Sequence, residues 1–243
     1  MVIYPAIDLL DGSCVRLKQG VFTDRKVYSD DPIGMLRNFE EAGATHVHIV
    51  DLSGAKDPTR HQRPLISKLV AATKLRIQVG GGLRDLESAH ELLRAGADRV
   101  VIGSAAISNP DLVMRLLAEV GGGRVTLALD VRLDQSGVAQ VATHGWQEQS
   151  GMQIAEALVP FSRAGLERVL CTDIGRDGMM QGPNLALYQS LSADFPGLEF
   201  QASGGVGTLD HLLALRDGGV RSVVVGKALY EGAIDLKEAL QRC

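Results

Sequence analysis

Residues 75–106 (LRIQVGGGLRDLESAHELLRAGADRVVIGSAA) and residues 198–229 (LEFQASGGVGTLDHLLALRDGGVRSVVVGKAL) align without a gap at an offset of 123. Eleven of the 32 aligned positions are identical, including Gly81/Gly204, Gly82/Gly205, Gly96/Gly219 and Gly103/Gly226. Unrelated segments of ordinary composition share about two. Earlier segments repeat at an offset of 122, with Ala6/Ala128, Asp8/Asp130, Val47/Val169 and Asp51/Asp173 as matching pairs. A duplicated half constrains the fold more than any local propensity does.

Each copy reads as four strand–helix units. In the first, strands are predicted at Val2–Asp8, His46–Asp51, Leu75–Val79 and Arg99–Ile102. Helices follow at 32–42, 65–72, 85–94 and 111–119, several of them closed by glycine. The second copy repeats the order from Val125. Long loops follow the first and fifth strands (9–31 and 131–149), each with room for a small hairpin built around 14–18 and 138–142. Strict alternation calls for a parallel sheet. Eight units in 243 residues match the (β/α)₈ TIM barrel, an α/β fold of about 250 residues. An open doubly wound sheet needs a topological switch point, and two equal halves suit a closed ring better. The expectation is a single barrel domain, residues 1–243, with half-barrels of about 1–122 and 123–243.

The chain's bulk chemistry narrows what such a barrel does. A net charge of −4 argues against nucleic acid as a bulk partner. Three scattered cysteines offer neither a disulfide framework nor a zinc spacing, which suits a reducing cytoplasm. MVIYPAIDLL has no basic leader, and no apolar run approaches a membrane span. A cytoplasmic monomer acting on a small molecule, with no nucleic acid or membrane partner, is expected.

Active sites of these barrels lie at the carboxyl ends of the strands. The third and fourth strands end in Gly80-Gly81-Gly82 and Gly103-Ser104. The seventh and eighth end in Ser203-Gly204-Gly205 and Gly226-Lys227. Glycine turns between strand and helix leave backbone N–H groups free to approach an anion. Two such pairs on opposite sides of the mouth suggest an elongated ligand with a phosphate at each end.

Asp8 and Asp130 end the first and fifth strands, opposite one another in an eight-stranded ring. Strand alternation puts them on the face of Ala6 and Ala128, with Ile7 and Leu129 turned towards the helices. Two carboxyl groups across a mouth suit general base and general acid, provided that one has its pKa raised. Thr172, at the end of the sixth strand, is placed to hydrogen-bond a sugar hydroxyl. Arg16 has the reach for a phosphate or a carboxylate. His46-x-His48 puts two imidazoles on one face. Without a third ligand at matching spacing, no metal site is expected, and His48 is grouped with the substrate-binding residues. Trp146 suits stacking on a planar heterocycle. Asp177, in GRDG, lies on a lid or in a solvated turn.

PAIDLLDGSCVRLKQG, VGGGLRD, VIGSAA, LALDV, HGW, CTDIGRDGMMQGPN, SGGV and VVGKALYEG together resemble the phosphoribosylformimino-aminoimidazole carboxamide ribotide (ProFAR) isomerases of histidine biosynthesis. The resemblance covers essentially the whole chain. It implies a cofactor-independent, half-barrel-duplicated (β/α)₈ enzyme that carries out an Amadori rearrangement, aminoaldose to aminoketose, on a bisphosphate. It further implies Asp8 as the base that removes the C2′ proton and Asp130 as the acid for ring opening. Thr172 then assists, and Asp177 competes with Asp130 for the acid's role. A sister barrel, the cyclase subunit of imidazole glycerol phosphate synthase, resembles PCLDV…GRVVKG in its first strand and loop. This chain reads PAIDL there, with Arg16 where that family's lysine lies. Two further alternatives are an isomerase that also takes phosphoribosyl anthranilate and a non-catalytic phosphosugar-binding barrel.

Overall fold

The computed structural model describes residues 1–18, 21–143 and 148–243. Eight parallel strands close into a ring: β1 (Val2–Leu10), β4 (His46–Asp51), β5 (Arg76–Gly80), β6 (Arg99–Ile102), β7 (Val125–Leu133), β10 (Arg168–Asp173), β11 (Glu199–Ser203) and β12 (Ser222–Val225). The closing pair is β12 on β1, in register from Val2↔Ser222 to Pro5↔Val225. In this ring β1 faces β7, and the neighbours β5 and β6 face the neighbours β11 and β12. The barrel predicted from the repeat is present.

Alternation along each strand sorts the side chains. Ile3, Ile7, Val47, Ile49, Ile77, Val79, Val100, Ile102, Leu127, Leu129, Val169 and Phe200 turn outwards and pack with the helices in the main core. Tyr4, Ala6, Val101, Leu170 and Val224 turn inwards and form a separate apolar cluster inside the barrel. β-Branched residues on the outer face stiffen the strands and fill the layer beneath the helices. The helices start where the sequence supplies caps. Asp85 accepts from Ser88 N (2.7 Å), and Thr208, at the same place in the second copy, accepts from His211 N (3.3 Å).

Each long loop carries the expected hairpin, with arms close to 14–18 and 138–142. After β1, antiparallel strands β2 (Ser13–Lys18) and β3 (Val21–Ser29) form a hairpin. After β7, β8 (Ala139–Thr143) and β9 (Glu148–Gln153) form the matching one. Much of β3 is exposed and carries charges, so its sequence, VFTDRKVYS, shows no alternation that marks it as a strand. Three short helices were also missed, at Leu52–Lys56, Ala105–Ser108 and Lys227–Tyr230. Four or five residues are too few to show a 3.6-residue period. No helix among the described residues is long and apolar enough to cross a membrane.

Candidate active site

A cavity of about 460 Å³ opens at the carboxyl ends of the eight strands. Asp8, Arg16, His48, Gly81, Gly82, Gly103, Ser104, Asp130, Thr172, Asp177, Ser203, Gly204, Gly205, Gly226 and Lys227 all line it. Trp146 lies outside the described residues.

Asp8 points into this cavity just before the chain turns into the β2–β3 hairpin. Arg16, on β2, reaches back to it, with Nη1 2.8 Å from Oδ2. Both side chains are largely buried, at 13% and 20% exposure. Burial raises the Asp8 carboxyl pKa, the Arg16 guanidinium and its hydrogen bond pull it down, and the negative charge of Asp177 adds to the rise. The balance is a raised value. Arg16 is raised in turn, chiefly by Asp8. A carboxyl group held above its ordinary range is a stronger base once ionised. Gly226 makes room for this pair, since a Cβ there would stand 2.8 Å from Arg16 Nη1.

Across the ring, Asp130 on β7 stands in register with Thr172 on β10, and both face the cavity. Thr172 is buried. Asp177 comes from the loop after β10, which is docked on the neighbouring strand ends at two points: Gly182 N donates to Gly205 O (2.8 Å), and Lys227 Nζ donates to Gly178 O (2.7 Å). Within the loop, Arg176 Nη1 donates to Gly182 O (2.9 Å). Lys227 thus anchors the loop that carries Asp177 while also lining the cavity.

The glycine turns have a second reason to be glycine. At Gly82 (φ 72°) a Cβ would lie 2.3 Å from Gly54 O, and at Gly205 (φ 84°) 2.3 Å from Gly182 O. The preceding strand's loop lies directly against each turn. These glycines therefore set loop packing as well as cavity shape. The short helices Ala105–Ser108 and Lys227–Tyr230 begin directly after Gly103-Ser104 and at Lys227, so each of these strand ends runs straight into a helix N-terminus.

His46 and His48 share a face but not a partner. His46 Nδ1 is 2.8 Å from Thr45 Oγ1, and buried His48 has Nδ1 2.9 Å from Gln78 Nε2. Among the described residues there is no group of three metal-ligating side chains. Burial and the Arg16 guanidinium depress the His48 pKa to about 4, so its ring is neutral near pH 7.

Sequence reasoning passed over Gln78 and Gln201. They hydrogen-bond to each other inside the barrel, and they are identical residues at an offset of 123. A polar residue repeated in the middle of two apolar strands was the available signal.

Over residues 2–235 the chain matches the model of the family described as Histidine biosynthesis protein. That match spans every element that contributes to the cavity.

Proposed function

Because the chain belongs to the histidine biosynthesis protein family, which covers both the isomerase and the cyclase barrels, we propose that it is a ProFAR isomerase. The observation that carries this reading is the Asp8–Arg16 pair: a carboxyl group of raised pKa, held at 2.8 Å by an arginine in the PAIDL…VRLKQG context, in a cavity that Asp130 shares. The cyclase pattern has lysine at that place.

The chemistry follows from proton positions. Asp130 protonates the ribose ring oxygen, and the ring opens to a C1′=N iminium. Asp8 removes the C2′ proton, and its electron pair forms the C1′=C2′ bond of an enolamine while the C1′=N pair returns to nitrogen. Tautomerisation to the C2′ ketone returns a proton to C1′ and completes the aminoketose. Every atom of the aldose is retained, so the reaction is an internal redox isomerisation driven by acid and base. Thr172, beside Asp130, orients a sugar hydroxyl. Asp177 is the competing acid, and its charge helps to raise Asp8.

Two anion cradles support a bisphosphate ligand. The Gly81–Gly82/Gly103–Ser104 and Ser203–Gly205/Gly226–Lys227 ends are four strands apart in the ring, with the two aspartates on the strands between them. A charged group bound at each end holds the reacting sugar over Asp8. The purified protein incubated with ProFAR, without a glutaminase, is expected to yield the ribulosyl isomer. Absence of turnover sinks the reading, and formation of an imidazole product from the ribulosyl isomer and ammonia supports the cyclase instead.

A further inference from the structure

In the barrel layer that holds the matching pairs Ala6/Ala128 and Gln78/Gln201, the two repeats differ at His48, whose counterpart is Leu170. In register, His48 stands between Ala6 and Gln78, while Leu170 stands between Ala128 and Gln201. Both His48 and Leu170 line the cavity. An aliphatic side chain therefore fills this position in one half, and barrel packing alone does not demand an imidazole in the other.

What the first half adds is a hydrogen-bonded partner behind the ring. Gln78 Nε2 lies 2.9 Å from His48 Nδ1 and 3.1 Å from Gln201 Oε1, and Gln201 Nε2 returns a bond to Gln78 Oε1 at 3.2 Å. Neither glutamine is accessible to solvent. An amide nitrogen donates and has no lone pair to accept with, so the Nδ1 facing it is unprotonated. In a neutral imidazole the proton then sits on Nε2. A lone amide can turn over and exchange its oxygen and nitrogen. Here a turn of either glutamine alone would set oxygen against oxygen and nitrogen against nitrogen. Only a turn of both together would present oxygen to His48 and reverse the tautomer.

We propose that the Gln78–Gln201 amide pair is a positioning device that holds His48 as the Nε2–H tautomer, so that the ring offers one fixed hydrogen-bond donor to the ligand beside Asp8. The nature of that ligand rests on the isomerase reading; the tautomer does not. Glutamines from the two repeats thus serve a group that only one half possesses.

The test is ¹⁵N NMR of His48 in the ligand-free protein near neutral pH, with assignment by His48→Leu. The expected spectrum has Nδ1 as the bare nitrogen and Nε2 as the protonated one. In Gln201→Met, which keeps Gln78 but removes its anchor, both tautomers are expected. In Gln78→Glu, a carboxylate behind the ring is expected to move the proton to Nδ1. Loss of one neutral hydrogen bond to the ligand is expected to lower kcat/KM for ProFAR about tenfold in Gln78→Glu. A protonated Nδ1 in the wild-type protein overturns the proposal, as does a Gln201→Met protein with an unaltered tautomer. The wild-type spectrum decides the question even where a variant fails to fold. A wild-type protein without ProFAR turnover contradicts the isomerase reading and leaves the tautomer result standing.

Discussion

Gln78 and Gln201 occupy the same place in the two repeats and bond reciprocally, Nε2 to Oε1, at 3.1 and 3.2 Å within the closed barrel. The duplication thus meets itself at one pair of side chains. With neither residue accessible to solvent, the bonds form where water offers no substitute. Gln201→Leu leaves part of the Gln78 amide unpaired and is expected to cost about 1–3 kcal/mol. The double change to leucine is expected to cost less than the sum of the single changes, with a coupling of about 0.5–3 kcal/mol. Urea denaturation of the four proteins in the cycle measures this. Strict additivity would show that the pair is not coupled.

The Asp8–Arg16 contact makes a prediction about pH. Asp8 must be ionised to act as a base, so kcat/KM is expected to fall on the acid side as pH drops through its raised pKa. Arg16 favours the ionised form. In Arg16→Met that support is gone while burial and Asp177 remain, and the acid limb is expected to move to higher pH. The position of the limb, rather than its height, is the readout, because Arg16 also lines the ligand cavity. A limb that stays in place or moves to lower pH contradicts the assignment.

The strand-end turns separate packing from binding. Gly205→Ala puts a Cβ 2.3 Å from Gly182 O at a positive φ, and is expected to destabilise the fold by more than about 1–2 kcal/mol. Gly103→Ala meets nothing nearer than Ala128 Cβ at 4.0 Å and is expected to change stability by less than about 0.5 kcal/mol. Denaturation midpoints compare the two.

For anion binding, Ser104→Asp and Ser203→Asp each bring a carboxylate to a cradle. Like charges about 4 Å apart repel by roughly 4 kcal/mol near a protein surface. KM for the bisphosphate is expected to rise at least tenfold in each variant. An unaffected KM in either would place that phosphate elsewhere.

The ring, the two facing aspartates and the four glycine turns were legible because the repeat ties each of them to a partner at a fixed offset. Alternation then told inward Ala6 and Asp8 from outward Ile7, and the structure has them so. Strand β3 was not legible, because its exposed, charged residues bury too little to leave a pattern. The three short helices span little more than one turn, too little for a 3.6-residue period to repeat. The partner of Arg16 was open between phosphate and carboxylate, since the hairpin that turns Arg16 back onto Asp8 is a tertiary arrangement. Lys227 belongs by sequence to a strand-end anion turn, and its bond to Gly178 O spans 49 positions of chain that no local pattern encodes. Gln78 and Gln201 were visible as a repeated pair, but their contact across the barrel needed the closed ring.

If Asp8 takes the C2′ proton, ProFAR deuterated at C2′ reports on that step itself. With wild-type protein, a primary isotope effect on turnover and release of the label to solvent are expected. With Asp8→Asn, kcat is expected to fall by orders of magnitude while bisphosphate binding persists. Label release by Asp8→Asn at the wild-type rate would contradict the account and give the proton to another base.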